Sequence, residues 1–289
     1  MSAATVSSAL ADARRLGVDP LDAQLLLGRV LGLTRTGLIA RDDAVLDSAA
    51  MAQWKRWLER RLAGEPIAYL LGEKEFHGLM FKVTPDVLVP RPETELLVDW
   101  AVEVGTALAS PARLLDLGTG SGAIALAAKH ALPSLAVTGT DRSGAALAIA
   151  QRNARRLGLE VELLEASWWQ GLEGLRFDVV AANPPYVHPA DPALAALRHE
   201  PREALTPGGD GLDALRAIVD GAADHLVPGG WLLLEHGFDQ AEAVRAMLAT
   251  AGFEAIQSRH DLAGHERSSG GRAPMAAPPA TVHPPAPAR

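Results

Sequence analysis

The sequence contains no cysteine, which excludes a disulfide, a thiolate metal site and a cysteine nucleophile, and suits a reducing compartment. It also lacks an excess of positive charge. The formal net charge is −8, and a dedicated nucleic-acid binder needs Lys and Arg to neutralise phosphates, so no direct nucleic-acid partner is expected. No apolar run is long enough to span a bilayer, so no membrane partner is expected either. The start, Met1-Ser-Ala-Ala-Thr-Val-Ser-Ser-Ala-Leu10, carries no basic segment and Asp12 interrupts its apolar run, so a secretory signal is not expected. The cytoplasm is the expected location. The nine histidines show neither His-Glu-x-x-His nor another metal spacing, and His188, His225 and His236 read as ordinary polar or capping residues. No metal is expected. No Gly-Lys-Ser/Thr follows the glycine-rich loop at Gly118, which excludes a phosphate-cradling P-loop. Ser121 lacks the glycines two positions to either side that a nucleophile elbow requires.

What is present divides along the chain. With 289 residues and 48% hydrophobic content, two domains and a substantial core are possible. Residues 1–75 read as helical: Leu21, Leu25, Leu26 and Val30 recur at helical spacing, as do Met51, Trp54, Trp57, Leu58 and Leu62. Ser48 is the predicted N-cap of the second of these runs, with Gly64 and Pro66 as stop signals. Trp54 and Trp57 are expected in the core, since a short helical domain needs bulky side chains to bury enough area. This region holds ten basic and ten acidic residues, so the excess acid lies wholly in the remainder, which supports a boundary. Residues 76–92 change pattern: Phe76–Val83 and Asp86–Val89 are short β-like runs punctuated by Gly78 and Pro85, read as a β-hairpin connector. From 93 to 272 strands and helices alternate, which implies an α/β domain, a mostly parallel sheet with helices on both faces. The tail 273–289 has six prolines among alanines and no periodic pattern, and is read as disordered.

Two motifs carry chemistry. Asp116-Leu-Gly118-Thr119-Gly120-Ser121-Gly122 leaves a predicted strand and opens a helix, so the glycines allow close backbone approach and the helix start offers N–H donors. Asp141 ends the next predicted strand, where a carboxylate accepts hydrogen bonds from ribose hydroxyls. Together they mark an adenosyl cofactor, although Gly118-x-Gly120-x-x-Ala123 also satisfies a relaxed dinucleotide fingerprint. The second motif, Asn183-Pro184-Pro185-Tyr186, follows the buried-strand run Phe177–Ala182, at whose carboxyl end an open α/β sheet binds ligands. Its two prolines stiffen the segment and remove two donors, leaving acceptors: the Asn183 side-chain oxygen and the Pro184 carbonyl. Such a pair can grip both hydrogens of an NH2 group and aim its nitrogen at an electrophile. Tyr186 is placed to stack on a flat substrate group.

With these motifs in order, the chain resembles class I S-adenosylmethionine-dependent methyltransferases that methylate planar nitrogens, and among them the release factor glutamine methyltransferases (the PrmC/HemK family). The likeness runs from about Leu25 to Arg272. It includes Pro66–Gly78, Pro90-Arg-Pro-Glu-Thr-Glu95, Asp116–Leu126, Glu200-Pro201 and Leu232–Gly237. Arg91–Glu95 favours release factors over ribosomal-protein glutamine as substrate. The resemblance implies a small N-terminal all-helical domain, a β-hairpin connector and a Rossmann-like catalytic domain. It implies that Gly118 to Gly122 hold the methionine part of S-adenosylmethionine, that Asp141 holds the ribose and that Trp168 lies beside the adenine. Asn183 and Pro184 would hold the substrate amide, the glutamine of the Gly-Gly-Gln loop in bacterial class I release factors. The product is then S-adenosylhomocysteine, the partner is the release factor, and a monomer is the expected state.

The chain departs from the family pattern twice. Where the family closes with an apolar final strand, Glu266-Arg-Ser-Ser-Gly-Gly-Arg272 is a weak strand former, and the proline-rich tail lies beyond the usual family end. Competing readings are a methyltransferase acting on a ribosomal-protein glutamine or a nucleic-acid exocyclic amine, a NAD-dependent oxidoreductase, and a non-enzymatic cofactor-binding adaptor. The second leaves Asn183–Tyr186 unexplained. A nucleic-acid substrate would need an electropositive surface that the acidic catalytic half does not advertise.

Overall fold

A computed structural model describes residues 4–108 and 111–275. Five helices open the chain: α1 (Val6–Arg15), α2 (Pro20–Leu31), α3 (Arg35–Ala40), α4 (Ser48–Leu62) and α5 (Ile67–Leu71). They enclose a core of their own in which Trp54 is buried against Leu26, Leu27 and Leu58, with Trp57 against its margin. Asp19 caps α2 through its carboxylate, which accepts from the backbone N–H groups of Leu21 and Asp22. The cap of α4 is one residue earlier than the sequence reading placed it. Asp47 accepts from the Ala50 N–H at 2.7 Å and Ser48 is the first helical residue. A carboxylate at this position also complements the helix dipole, which a serine does not.

The connector begins earlier than expected. Strand β1 (Glu73–Phe76) pairs antiparallel with β2 (Leu79–Lys82) about a His77-Gly78 turn, so a boundary at residue 75 would cut the hairpin. Gly78 has φ +74°, which suits glycine in such a turn. Asp86–Val89 is no strand. Val87 and Val89 bury against Ala146 and Ile149, and the Val89 N–H is satisfied by the Glu200 carboxylate at 3.0 Å instead of a ladder partner. Tyr69 on α5 joins the same cluster, its hydroxyl donating to the Val87 carbonyl at 2.6 Å.

Beyond a 3-10 turn at Pro92–Thr94 the elements alternate: α6 (Glu95–Ala107), β3 (Arg113–Leu117), α7 (Ala123–Ala131), β4 (Ala136–Asp141), α8 (Gly144–Leu157), β5 (Glu162–Glu165) and β6 (Phe177–Ala182). After the short α9 (Ala193–Ala196) come α10 (Asp213–His225), β7 (Leu226–Glu235), α11 (Ala241–Thr250), β8 (Glu254–His260) and β9 (Glu266–Arg272). The seven-stranded sheet has the order β5-β4-β3-β6-β7-β9-β8. It is parallel except for β9, which runs antiparallel to both its neighbours. Residues of α6 and α7 cover one face and those of α10 and α11 the other, as alternating elements require. β7 starts at Leu226, and a bulge between the Phe177 and Val179 pairings absorbs Pro228, Gly229 and Gly230.

The Ser/Gly-rich segment forms a complete strand. Ser268, Ser269, Gly270 and Gly271 are buried between β7 and β8, and their small size is what the position needs. A Cβ on Gly270 would stand 2.7 Å from Leu233 Cδ2 and 2.9 Å from the Trp100 ring. Ala273 is buried as well and its N–H donates to the Gly230 carbonyl at 2.7 Å, so the ordered chain runs into the segment assigned to the tail. The rest of that tail, from residue 276, lies outside the described residues.

Candidate active site

The strand order reverses at β3, with β4 on one side and β6 on the other, and the carboxyl ends of these strands open onto one cavity of about 380 Å3. Register brings the two motifs together. Leu117 pairs with Ala182, so Gly118 and Asn183 leave adjacent strands side by side. Ala182 in turn pairs with Leu234, which sets Glu235 beside Asn183 on the other flank.

Gly118, Gly120 and Gly122 have φ of +74°, +54° and +82°, a conformation that explains glycine at all three. Thr119 and Ser121 alternate with them. The Thr119 hydroxyl donates to Asp116 Oδ2 at 2.6 Å, and Asn153 Nδ2 donates to the Ser121 carbonyl at 2.8 Å. Asp116 is buried, and its Oδ1 has no hydrogen-bond partner among the described residues. Burial, only partly offset by the Thr119 and Ala125 hydrogen bonds, pushes its carboxyl up to about 7. Asp141 already works on the loop: Oδ2 accepts from the Gly120 N–H and Oδ1 from the Ser143 N–H, both at 2.9 Å. Each oxygen keeps a lone pair for a ligand hydroxyl. Trp168, at φ +50°, lines the same cavity, its ring close to Gly118.

Asn183, Pro184 and Pro185 line the cavity too. Asn183 Nδ2 donates to the Thr94 hydroxyl at 3.1 Å, which leaves its oxygen to the cavity, and no donor among the described residues reaches the Pro184 carbonyl. Tyr186 does not line it. Its ring is half-buried and packs against the core under α10 and α11, while its hydroxyl donates to Glu235 Oε1 at 3.2 Å. Tyr186 is also held by its backbone, the carbonyl accepting from Gln240 Nε2 at 3.0 Å. His236 is fully buried, bonded to Gly237 and Ser269, and takes no part in the cavity.

Three residues escaped the sequence reading as individuals. Thr94 lines the cavity beside Asn183. The Glu200 side chain, almost wholly buried, pairs with Arg91 and accepts from Val89, tying the strap before α6 to the loop after Asn183-Pro-Pro-Tyr186. Glu235 is 1% exposed, and burial pushes its carboxyl up to about 7. A signal existed for Glu235: a lone acid closing the apolar run Trp231–Leu234 has to be buried with it. No group of His, Asp or Glu able to hold a metal ion occurs among the described residues, and no helix there is long and apolar enough to cross a membrane.

Comparison with known proteins agrees with this geometry. Residues 4–72 match the family model of the PrmC N-terminal domain and residues 94–212 that of the methyltransferase small domain. The release factor glutamine methyltransferase of Burkholderia pseudomallei (strain K96243) is 53% identical over 266 residues, 89% of this chain and 93% of the relative. That of Bordetella pertussis is 50% identical over 258 residues, 88% and 95% of the two chains. Among solved structures a methyltransferase from Pyrococcus furiosus has TM-score 0.53 at 21% identity, covering 76% of this chain and 99% of its own, a likeness of fold alone.

Proposed function

The chain belongs to the release factor glutamine methyltransferase family, and from that premise we propose how its cavity performs the reaction. The enzyme transfers a methyl group from S-adenosylmethionine to the side-chain amide nitrogen of a release factor glutamine. The observation that carries the assignment of residues is the meeting, in one cavity, of the Gly118–Gly122 loop with the two acceptors of Asn183 and Pro184.

The residues present fit an adenosyl cofactor. Three left-handed glycines leave backbone open to a close ligand, the Asp141 carboxylate at the cavity wall keeps lone pairs for a hydroxyl, and the cavity lies in the range of small-molecule sites. Gly118, Thr119, Gly120, Ser121 and Gly122 would hold its methionine part, Asp141 its ribose and Trp168 its adenine. When bound, the cofactor supplies an electrophilic sulfonium methyl. The chain's own residues then position the nucleophile. Asn183 Oδ1 and the Pro184 carbonyl accept the two hydrogens of the substrate amide, and rigid Pro185 keeps both acceptors in place. Taking up that methyl group would require the amide nitrogen to release one of its two held protons, to solvent, with S-adenosylhomocysteine as the leaving group. Exclusion of water and alignment carry the rate, without a covalent intermediate. Tyr186 fixes the loop from behind.

The protein substrate is a bacterial class I release factor, modified at the glutamine of its Gly-Gly-Gln loop, and the helical unit of residues 1–75 docks it. Its separate core and its even charge balance support that role. The test is mass spectrometry of a class I release factor incubated with the enzyme and S-adenosylmethionine, beside a factor whose Gly-Gly-Gln glutamine is replaced. One methyl group on that glutamine, absent from the replacement, is the expected result. No transfer despite measurable cofactor binding would refute the substrate assignment.

A further inference from the structure

A loop built on three left-handed glycines has to be held from outside if it is to present a fixed backbone, because each glycine adds conformational freedom that the fold must remove. Two anchors of the Gly118–Gly122 loop come from β4. Asp141 accepts from the Gly120 N–H at 2.9 Å, and the Thr119 N–H donates to the Thr140 carbonyl at 2.7 Å. Neither reaches Ser121, which stands between two of the glycines. Its carbonyl is taken instead by the side chain of Asn153 on α8, Nδ2 donating at 2.8 Å.

Asn153 is fully buried and does not line the cavity. Its amide is engaged from a second direction as well. Nδ2 donates to the Lys82 carbonyl at 3.0 Å, and Oδ1 accepts from the Lys82 N–H at 2.7 Å. These two groups belong to the open edge of the hairpin. Lys82 stands opposite Glu73, and Val83, next in the chain, donates its N–H back to the Gly72 carbonyl. The alternation of an antiparallel ladder therefore turns the Lys82 N–H and carbonyl away from β1. The Asn153 amide meets both as a third strand would, and its other hydrogen holds the loop. Its orientation is fixed by these partners: reversed, it would set its NH2 against the Lys82 N–H and its oxygen against two carbonyls. Resting on the reading of Gly118–Gly122 as the cofactor loop, we propose that Asn153 is a positioning residue for S-adenosylmethionine, which presets the backbone of that loop and couples it to the connector hairpin.

The effect of Asn153 on the cofactor runs through Ser121. With the amide in place, the peptide groups on either side of Ser121 are set before the ligand arrives, so binding has less backbone to order. Without it, a buried carbonyl loses its partner and the flanking glycines let the loop move. The coupling acts in both directions. A cofactor that immobilises the loop strengthens the hold of Asn153 on Lys82, and loosening the hairpin weakens cofactor binding by the same factor.

The test uses the full-length enzyme with Asn153→Ala and Asn153→Leu, the second of which fills the space without making any of the three hydrogen bonds. In both, the Kd for S-adenosylmethionine by calorimetry is expected to rise roughly tenfold, the scale of a buried group left without its partner. KM for the cofactor rises with it, while kcat at saturating cofactor stays close to the wild-type value, since Asn153 does not reach the cavity. A lowered Tm with unchanged cofactor affinity would overturn the proposal and leave Asn153 a structural amide. So would a loss confined to kcat, or wild-type affinity in Asn153→Leu, which would make volume the cause. Should both variants fail to fold, the wild type carries the test through hydrogen exchange followed by NMR. On addition of S-adenosylmethionine, exchange of the Lys82 N–H must slow by a larger factor than that of the Val83 N–H, which bonds Gly72 instead of Asn153. Equal slowing at the two would refute the coupling. If the wild type binds no S-adenosylmethionine, the cofactor reading fails and the proposal with it; if the wild type and both variants bind alike, the proposal alone fails.

Discussion

Asn183 stands one residue beyond β6 with its nitrogen donating to Thr94, which leaves its oxygen free to accept, as the proposed role in holding the substrate amide requires. Asn183→Ala is expected to lower turnover about 100-fold, the scale of losing alignment at a reacting nitrogen, with cofactor affinity unchanged. Single-turnover rates beside calorimetry measure both, and near-normal turnover would remove Asn183 from the mechanism. Asp141→Ala shifts the loss to the other ligand. Its carboxylate accepts two backbone N–H groups of the cofactor loop and its surroundings, so cofactor affinity should fall by roughly tenfold or more, as for hydrogen bonds to a charged group. Unchanged affinity would exclude the ribose role. Both residues were legible in the sequence because their chemistry is local to a motif. The place of Glu235 was not, since it depends on strand register: only the pairing of Ala182 with Leu234 sets Glu235 against Asn183. The contact of the Tyr186 hydroxyl with Glu235, 49 residues further on, was out of reach for the same reason.

At the scale of the element, β9 is the informative case. Composition argued against a strand, yet Glu266–Arg272 lies inside the sheet, because a segment passing under Trp100 and Leu233 on one side and Phe253 on the other has no room for larger side chains. Gly270→Ala should therefore destabilise the protein by about 1 to 3 kcal/mol through overpacking, seen as a lowered Tm. An unchanged Tm would mean that Trp100 moves aside at no cost. The alternation of strands and helices from β3 to α11 was readable, since apolar runs at period 2 and 3.6 are set by burial within each element. What sequence could not supply was the start of β7, hidden by the Pro228-Gly229-Gly230 bulge, or the fate of Asp86–Val89, whose apolar residues bury without a ladder.

Among the buried carboxyls of the described residues, Asp116 and Glu235 are each held up to about 7 chiefly by burial. The unfolded chain releases these protons near pH 4 to 4.5, the folded chain only near 7, so in that window the folded state binds more protons. Stability contributed by the two groups then falls as pH rises from about 4.5 to about 7 and levels above it. Urea midpoints across this range should fall less steeply in Glu235→Gln than in the wild type, and parallel curves would show that Glu235 titrates normally. The helical unit is also a property of the whole. A chain beginning at Pro66 keeps Tyr69 on Val87 and should methylate a Gly-Gly-Gln peptide as before, but lose roughly tenfold in kcat/KM on the intact factor, about 1.4 kcal/mol of docking. Equal efficiency on both would end the docking role. The separate helical unit was legible from its periodicity and charge balance, whereas α5, with Leu70 in the helical core and Ala68 and Tyr69 in the cluster around Val87, defeats any single cut point. One consequence of the sheet order concerns how the protein is made. β8 has no neighbour in the sheet except β9, so a chain interrupted just before Glu266 forfeits two strands for the loss of one. During synthesis from the amino terminus the apolar flank of β7, Trp231 to Leu234, stays an open edge until those last strands arrive. An incomplete chain is thus left with a surface that invites aggregation, which makes it a poor candidate for partial activity and a ready target for clearance.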